Sequence, residues 1–261
     1  MMRRWSASGS VEGPRLSSVT QRQAAWSIER RAALLGRVRP FDQLGARTLT
    51  SVGGRCRVRV CEKGAVIFVE GQRAEAVHVL AEGEVRVVRE TDDGREVILR
   101  LIRPGEMFGG AGGWGAERYP ATTVAADLSV VLVLPAADFA GLIRDYPDFA
   151  VAVVRELGSR LRDAEARIQE LQTERVERRI ARMLLRLANR TGIRTANGIE
   201  IDATLSRQAI ADLCGTTLST ASRVLSGWDR QGILIASREH VVIVRPHDLV
   251  SIADDIVEPP A

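Results

Sequence analysis

The spacing of apolar residues changes once along this chain, and that change limits the possible folds more than any other feature. Residues 55–136 contain short apolar runs with glycines between or beside them, which predicts the short antiparallel strands of a sandwich or barrel. From Phe149 to Gln172 the apolar residues instead recur at alternating intervals of four and three, which is the heptad spacing of a long helix. We therefore expect a β domain followed by a long helix.

The heptad residues form a narrow apolar stripe along this predicted helix. They are Val154, Leu157, Leu161, Ala164, Ile168 and Leu171. A stripe this narrow usually faces an identical helix, and its flanks are charged, so we interpret it as a dimer seam. The alternative is a helix packed along its length on its own barrel. The stripe breaks at Arg175, where the chain becomes basic, so a hinge is expected between Gln172 and Arg175.

The stretch Leu205–Leu225 has the apolar spacing and the central glycine of a helix-turn-helix. Ser206 can cap its first helix, and Gly215 can take the left-handed turn between the helices. The second helix would expose short hydroxyl side chains and one arginine, which suit phosphate oxygens and a guanine edge in double-stranded DNA. The predicted DNA contacts are Ser206, Arg207, Gln208, Thr216, Thr217, Ser219, Thr220, Ser222 and Arg223.

The segments on both sides of this motif complete a winged helix-turn-helix. Before it, Val176–Asn189 has the pattern of an amphipathic helix, followed by a predicted loop at 191–197 and a short strand at 199–201. After it, residues 232–237 and 240–244 are expected to form a hairpin. A hairpin that follows a recognition helix is a wing.

Charge is distributed unevenly along the chain. Residues 175–250 hold 12 arginines against 7 acidic residues, whereas residues 40–174 hold 17 basic and 21 acidic residues. A basic module beside an acidic one fits DNA binding by the basic module alone, because cations that neutralise phosphates release counterions.

The sequence gives little support for other classes of protein. Cys56, Cys61 and Cys214 are too few and too irregular for a disulfide framework or a metal site, so we expect buried thiols. No Ser-His-Asp or paired-carboxylate constellation is present, so an enzyme with an appended DNA-binding domain is a weaker interpretation. No segment is long and apolar enough to cross a membrane, and the start lacks the apolar core of a signal peptide, so a cytoplasmic protein without a membrane partner is expected.

Together these patterns predict an α+β chain in five parts. The parts are a flexible basic tail at 1–31, a β jelly roll at 32–146, a dimerisation helix and hinge at 147–174, a winged helix-turn-helix at 175–250 and a second tail at 251–261.

A strand roll, a dimer helix, a hinge and a winged helix-turn-helix, in that order, resemble the Crp/Fnr family of bacterial transcription regulators. The most specific segments are LSRQAIADLCGTTLSTASRVL at the DNA end, and EKGAVIFVEGQRAEAVHVLAEGEVRVV and RPGEMFGG in the roll. The resemblance implies a cyclic-nucleotide-binding-like roll and a homodimer that binds an inverted-repeat promoter site, with one recognition helix per half-site. It also implies contact with RNA polymerase.

The chain departs from the cAMP-binding branch of this family at the residues that hold the nucleotide. The glutamate for the ribose falls on Gly110, the Arg-Ser pair for the phosphate on Pro120-Ala121, and the Thr-Ser pair for adenine on Ala164-Glu165. A buried cyclic phosphate would lack its counter-charge and most of its hydrogen bonds. We therefore expect no specific cAMP binding. A cyclic-nucleotide-binding regulatory module, for cAMP or another nucleotide, is the alternative.

The resemblance also raises two other cofactors, a 4Fe-4S cluster and haem. A 4Fe-4S cluster needs thiolate ligands, and residues 1–55 contain no cysteine, so the cluster is disfavoured. The stretch Tyr119-Pro120-Ala121-Thr122 is similar to that of nitric-oxide-responsive regulators of denitrification, which implies a possible haem with His78 as the candidate axial ligand. The predicted effector pocket comprises Gly109, Gly110, Tyr119, Pro120, Ala121 and Thr122.

The recognition helix also departs from the family pattern at one position. Many members carry a glutamate where this chain has Ser219, and that glutamate accepts a hydrogen bond from a cytosine amino group. Arg223 is kept, and its guanidinium can pair with guanine O6 and N7. We therefore expect a half-site that differs from the common TGTGA or TTGAT at the base pair normally read by the glutamate.

Overall fold

A computed structural model describes residues 18–91, 96–110, 117–237 and 239–254. The first elements are helices α1 (Ser18–Ala24), α2 (Ile28–Leu35) and α3 (Ala46–Arg55), with a short 3-10 helix at Phe41–Gln43 before α3. Trp26, between α1 and α2, is buried, and Arg31 donates hydrogen bonds to its carbonyl and to those of Gly53 and Cys56. The predicted tail is therefore wrong for residues 18–31, because a buried aromatic side chain anchors this segment to the domain.

The β domain is a jelly roll of two antiparallel sheets. Its strands are β1 (Arg57–Cys61), β2 (Val66–Phe68), β3 (Ala76–Glu82), β4 (Val85–Glu90), β5 (Glu96–Ile102), β6 (Met107–Phe108), β7 (Thr122–Ala125) and β8 (Ser129–Pro135). One sheet has the order β1-β8-β3-β6 and the other β2-β7-β4-β5. Leu80 and Val131 of the first sheet pack against Val85 and Ile102 of the second, which closes the core. The prediction of short antiparallel strands within residues 55–136 is confirmed.

Two helices lead out of the roll, α4 (Ala136–Asp145) and α5 (Pro147–Thr173). The rings of Phe41, Phe139 and Phe149 pack edge to face, with centroid distances of 5.9, 5.4 and 5.4 Å. Phe149 and Val153 are the buried residues of α5, so its first turns are fixed to the roll and the rest extends away from this core. No helix within the described residues is long and apolar enough to cross a membrane.

The C-terminal domain surrounds the predicted helix-turn-helix. Its elements are α6 (Val176–Thr191), β9 (Gly192–Thr195), β10 (Gly198–Ile201), α7 (Arg207–Leu213), α8 (Leu218–Arg230), β11 (Leu234–Ala236), β12 (Val241–Ile243) and α9 (Pro246–Asp254). The strands form one sheet in the order β11-β12-β10-β9, so the wing hairpin is confirmed. The segment 191–197, expected to be a loop, instead supplies β9, which pairs with β10.

Helix α9 corrects the predicted boundary of the last tail. Leu249 and Ala253 of α9 are buried, and the Ala253 carbonyl accepts hydrogen bonds from Arg178 and Arg182 of α6. Residues 251–254 therefore belong to the domain, because α9 covers the apolar face of α6.

The C-terminal domain packs directly on the roll. Val88 and Leu101 of the roll share one apolar core with Ile210 of α7. Beside this core, Arg103 Nη1 lies 2.7 Å from Glu84 Oε2, and the Thr204 amide donates to the same oxygen at 3.3 Å. Burial raises the pKa of Glu84, and the Arg103 guanidinium opposes that shift. The shared apolar core and the hydrogen bond from Thr204 to Glu84 thus join the two domains.

The turn between β3 and β4 requires glycine, and a matched pair of variants tests this. Gly83 has a φ of +87°, and a Cβ there would lie 2.4 Å from the Leu128 carbonyl oxygen, whereas Gly105 has a φ of +84° with nothing within 4 Å. We expect Gly105→Ala to cost about 1–2 kcal/mol for left-handed strain alone. Gly83→Ala is expected to cost roughly 2–3 kcal/mol more, because it also clashes with backbone. Urea denaturation of both variants measures the difference, and equal losses would contradict the clash.

Candidate nucleic-acid interface and roll cavity

The two helices of the motif are capped as their sequence predicts. Ser206 Oγ accepts a hydrogen bond from the Ala209 amide at 3.1 Å at the start of α7. Thr217 Oγ1 accepts one from the Thr220 amide at 3.2 Å at the start of α8. Gly215 lies in the turn between them with a φ of +59°, where an added Cβ would lie 2.5 Å from the Leu171 side chain. The predicted helix-turn-helix is confirmed. Glycine suits its turn because the φ is positive and because a side chain there would clash with Leu171.

Helix α8 has a buried apolar face and an exposed polar face, although Leu218 in its first turn is 47% exposed. Its inner face is formed by Ala221, Val224, Leu225 and Trp228, which are buried. Thr217, Ser219 and Arg223 are exposed on the other side. The Arg223 guanidinium makes no hydrogen bond to a described residue, so it is available to a ligand outside the protein. Thr216, Thr220 and Ser222 are partly exposed beside it.

The polar side chains of α7 that were predicted to contact DNA make hydrogen bonds within the protein. Arg207 Nη1 donates to the Ser222 carbonyl at 3.2 Å and to Ser226 Oγ at 2.9 Å, which ties α7 to α8. Gln208 is exposed, and its amide donates to Asp212 Oδ1 at 2.7 Å. In this structure Arg207 therefore holds the two helices together, and its guanidinium is committed within the motif.

The turn of the motif is also held from α5 and α6. Arg179 donates to the carbonyls of Cys214 and Gly215 at 3.0 and 3.3 Å, and Arg167 of α5 donates to the Leu213 carbonyl. Burial raises the pKa of the Cys214 thiol to about 12, so this cysteine is a neutral core residue. Cys56 and Cys61 are buried too, so the prediction of buried thiols is confirmed.

The seam residues of α5 lie at the surface. Val154, Leu161 and Ile168 are 67%, 61% and 55% exposed. Leu157, Ala164 and Leu171 are also exposed. The Leu171 side chain lies beside the turn at Gly215 as well. Helix α5 ends at Thr173 and α6 begins at Val176, which is where the hinge is expected.

Two ion pairs hold the hinge: one joins α5 to α6, and the other joins the hinge residue Glu174 to α6. Glu170 binds Arg186 through both oxygens at 2.5 and 3.1 Å, and Glu174 lies 2.5 Å from Arg182. The end of α5, the turn of the motif and α6 therefore form one connected unit.

A cavity of about 360 Å³ lies between the second sheet of the roll and α5. Four residues of the predicted effector pocket line it: Gly109, Gly110, Pro120 and Ala121. Tyr119 and Thr122 do not, and for these two the pocket prediction is corrected. The Tyr119 ring stacks on Phe68 at a centroid distance of 3.8 Å, and its hydroxyl donates to the Ala76 carbonyl at 2.9 Å. Thr122 Oγ1 accepts from the Glu70 amide at 3.0 Å.

The remaining lining residues were missed at the sequence level. They are Phe68, Val87, Arg100, Ile102, Phe108, Thr123 and Arg160. They come from strands and a helix that are far apart in the chain, so no local motif joins them. One signal was available, because Arg100 is the charge within the otherwise apolar run VILRLI of β5.

His78 does not fit an axial haem ligand. Its ring is 4% exposed and packs against Phe68 and Phe108, with centroid distances of 5.1 and 5.2 Å. A Cβ added at Gly109 would lie 2.8 Å from His78 Nδ1, so the Gly109 backbone closes off this side of the ring. Burial lowers the pKa of His78 to about 3, which keeps the ring neutral. The ring is a packed core residue, and no haem chemistry is derived from it.

A β roll, a long helix with an exposed apolar stripe and an exposed recognition helix define a two-domain DNA-binding regulator. Comparison with known proteins agrees. Residues 58–146 match the cyclic nucleotide-binding domain family, and residues 178–252 match the Crp-like helix-turn-helix domain family. The chain belongs to the Crp/Fnr family of transcription regulators.

Individual relatives support this membership. The nitrogen fixation regulation protein FixK of Azorhizobium caulinodans is 32% identical, over 71% of this chain and 74% of that protein. The cyclic AMP receptor protein of Thermus thermophilus is 31% identical, over 67% and 78%. The crystal structure of TTHB099, a CRP-family transcriptional regulator of Thermus thermophilus, superposes with a TM-score of 0.64 at 29% identity, covering 77% of this chain and 98% of that one. Since these relatives are transcription regulators, the chain is a regulator and not an enzyme.

Proposed function

We propose that this protein is an effector-responsive homodimer that binds an inverted-repeat promoter site with one α8 helix in each half-site. The observation that carries the proposal is the exposed face of α8, where Arg223 and short hydroxyl residues lie on a helix whose other face is buried. A regulator of this kind acts in the cytoplasm, where it meets DNA and, as is typical of the family, RNA polymerase.

The dimer is supported by the exposed stripe on α5. Its heptad spacing suits a parallel pair of identical helices, and large exposed apolar side chains on one helix face favour such a partner. The same helix carries the C-terminal domain, so pairing of two α5 helices would bring two recognition helices together.

The signal is proposed to be something other than cAMP. Gly110, Pro120 and Ala121 line the cavity, and none of these side chains can bind a phosphate or a ribose hydroxyl. These side chains favour the branches of the family that do not use cAMP, such as the Fnr and nitric-oxide-responsive regulators. Calorimetry tests this directly, and micromolar affinity for cAMP would contradict it.

Arg223 is expected to supply the main base contact. Arg223→Ala should weaken specific DNA binding by about 1–3 kcal/mol, or roughly 5- to 150-fold, because a bidentate pair with guanine is lost. The measurement is a gel-shift titration with a site selected from random DNA. Arg230→Ala, at the exposed end of the same helix, is the matched control and should lose much less specificity.

The same selection also tests the role of Ser219. A consensus that differs from TGTGA and TTGAT at the base pair normally read by glutamate would support the altered contact. Recovery of either common half-site, or equal losses for Arg223→Ala and Arg230→Ala, would contradict the proposed reading of the helix.

A further inference from the structure

Two guanidinium groups line the roll cavity, and no carboxylate among the described residues does. Arg100 comes from β5 and Arg160 from α5. Neither position belongs to the segments 109–110 and 119–122 that the family resemblance points to. The cavity therefore has a positive side of its own, built from a different strand and from the long helix.

Both guanidinium groups also have partners within the protein. Arg100 Nη2 donates to Glu106 Oε2 at 3.3 Å. Arg160 donates to Glu156 Oε1 at 2.8 Å and to the Met107 carbonyl at 2.9 Å. The pKa of Arg100 is lowered to about 10, first by burial and then by the positive charge of Arg160. Since like charges in partly buried surroundings oppose each other, an anion near both would be favourable.

A third polar group points to a ligand as well. Thr123 is fully buried, and its Oγ1 has no hydrogen-bond partner among the described residues. Because buried hydroxyls are nearly always hydrogen-bonded, a hydroxyl without a partner in a cavity wall is suited to a hydrogen bond with a bound ligand. The rest of the wall is apolar and includes Phe68, Ile102 and Phe108. Small-molecule pockets are typically about 300–1,000 Å³, so this cavity suits a small ligand.

We propose that the cavity binds a small organic anion, a carboxylate or phosphate on a compact apolar body. Arg100 and Arg160 supply the counter-charge, Thr123 supplies a hydrogen bond, and the aromatic wall holds the apolar part. The inference rests on the proposed effector-responsive function and names the chemical class of the effector. It differs from nucleotide binding, because the described wall offers no carboxylate to accept hydrogen bonds from a ribose.

Glu106 connects this site to the DNA-binding domain. Besides Arg100, its carboxylate pairs with Arg190 at the end of α6. It also accepts from the Arg103 amide at 3.2 Å. An anion that binds Arg100 competes with Glu106 for the guanidinium and so changes the surroundings of the Glu106–Arg190 pair. Ligand binding is thereby coupled to the position of α6, since a ligand shifts an equilibrium when it contacts the two states differently.

The test uses the full-length protein and named probes. Benzoate and succinate represent carboxylates, phenyl phosphate represents phosphates, and benzamide is the neutral counterpart of benzoate. Isothermal calorimetry and thermal melting measure binding at millimolar concentration. At least one anion should bind and benzamide should not. Arg100→Gln and Arg160→Gln should each lower the anion affinity by roughly tenfold or more, because a charge-assisted hydrogen bond is lost.

A matched control and a DNA-binding measurement distinguish failure of the proposed anion site from failure of the proposed regulator function. Arg89→Gln removes an arginine of β4 that pairs with Glu70 at 3.0 Å outside the cavity, and it should leave anion binding unchanged. Equal losses in all three variants, equal binding of benzamide, or no anion binding at all would overturn the proposal. Gel shifts on the same preparations decide whether DNA binding survives. If it does while anions fail to bind, the effector class is wrong and the proposed regulator stands.

A separate variant tests the coupling between anion binding and DNA binding through Glu106. Glu106→Gln should keep the anion site but should lose the change in DNA affinity that the anion produces in the unmodified protein. An unchanged anion response of DNA binding in Glu106→Gln would overturn this route to α6.

Discussion

Replacing Leu161 with glutamate is expected to convert the protein from a dimer into a monomer. Leu161 lies in the middle of the exposed stripe on α5 and is 61% exposed. In a paired seam each copy would place an unpaired carboxylate against apolar side chains, at a cost of about 3 kcal/mol or more. That corresponds to a dimer dissociation constant raised by roughly 100-fold or more. Sedimentation velocity over a range of protein concentrations measures the change.

DNA binding by the Leu161→Glu variant is expected to fall with the dimer. A monomer reads one half-site, so the full inverted repeat should lose its advantage over a single half-site in gel shifts. Gln169→Glu adds the same charge to an exposed position of the same helix outside the stripe, and it should leave both dimer and DNA affinity near the starting values. A Leu161→Glu protein that remains a dimer would show that the stripe is not the seam.

Acid is expected to destabilise the protein strongly through one residue, His78. Its folded-state pKa is about 3 against an ordinary value of 6.5, because burial among aromatic rings excludes the charged form. The unfolded chain therefore binds the proton first as the pH falls. The stability that neutral His78 contributes is fully present above about pH 6.5 and is lost as the pH falls towards 3. At 1.36 kcal/mol for each pKa unit, the full loss approaches about 4–5 kcal/mol.

The experiment compares urea denaturation at pH 6.5 and 4.5. Over this interval His78 should account for roughly 2–3 kcal/mol of lost stability, and His78→Leu should lose correspondingly less than the unmodified protein. His247→Gln, which replaces an exposed histidine of α9, is the control and should keep the original pH dependence. Identical pH dependence in His78→Leu and the unmodified protein would show that the ring is charged or open to solvent in the fold.

Local signals in the sequence were sufficient for most of the fold. The heptad spacing predicted α5, and Ser206 marked the start of α7 because its side chain can satisfy a free amide of the first turn. Gly215 marked the turn because it takes a left-handed conformation. Each of these features depends on residues within a few positions of one another.

The parts that the sequence did not reveal depend on contacts between distant residues. Trp26 anchors the first helices only because α2 and α3 pack together around it, and α9 is ordered by its contact with α6. Tyr119 turns into the core because Phe68, on another strand, offers its ring a stacking surface. The positive side of the cavity joins β5 to α5, and that pairing of Arg100 with Arg160 follows from tertiary packing alone.

The link that Arg207 makes between α7 and α8 has a geometrical consequence for reading DNA. The Arg207 hydrogen bonds and the contacts from α5 and α6 hold α7, the turn and α8 together as one unit. Only Glu174 and Arg175 separate the end of α5 from the start of α6. In the proposed dimer, the distance and rotational phase between the two recognition helices would therefore depend on this short joint and on the contacts that hold the C-terminal domain to α5 and the roll, whereas α8 would choose the bases within each half-site.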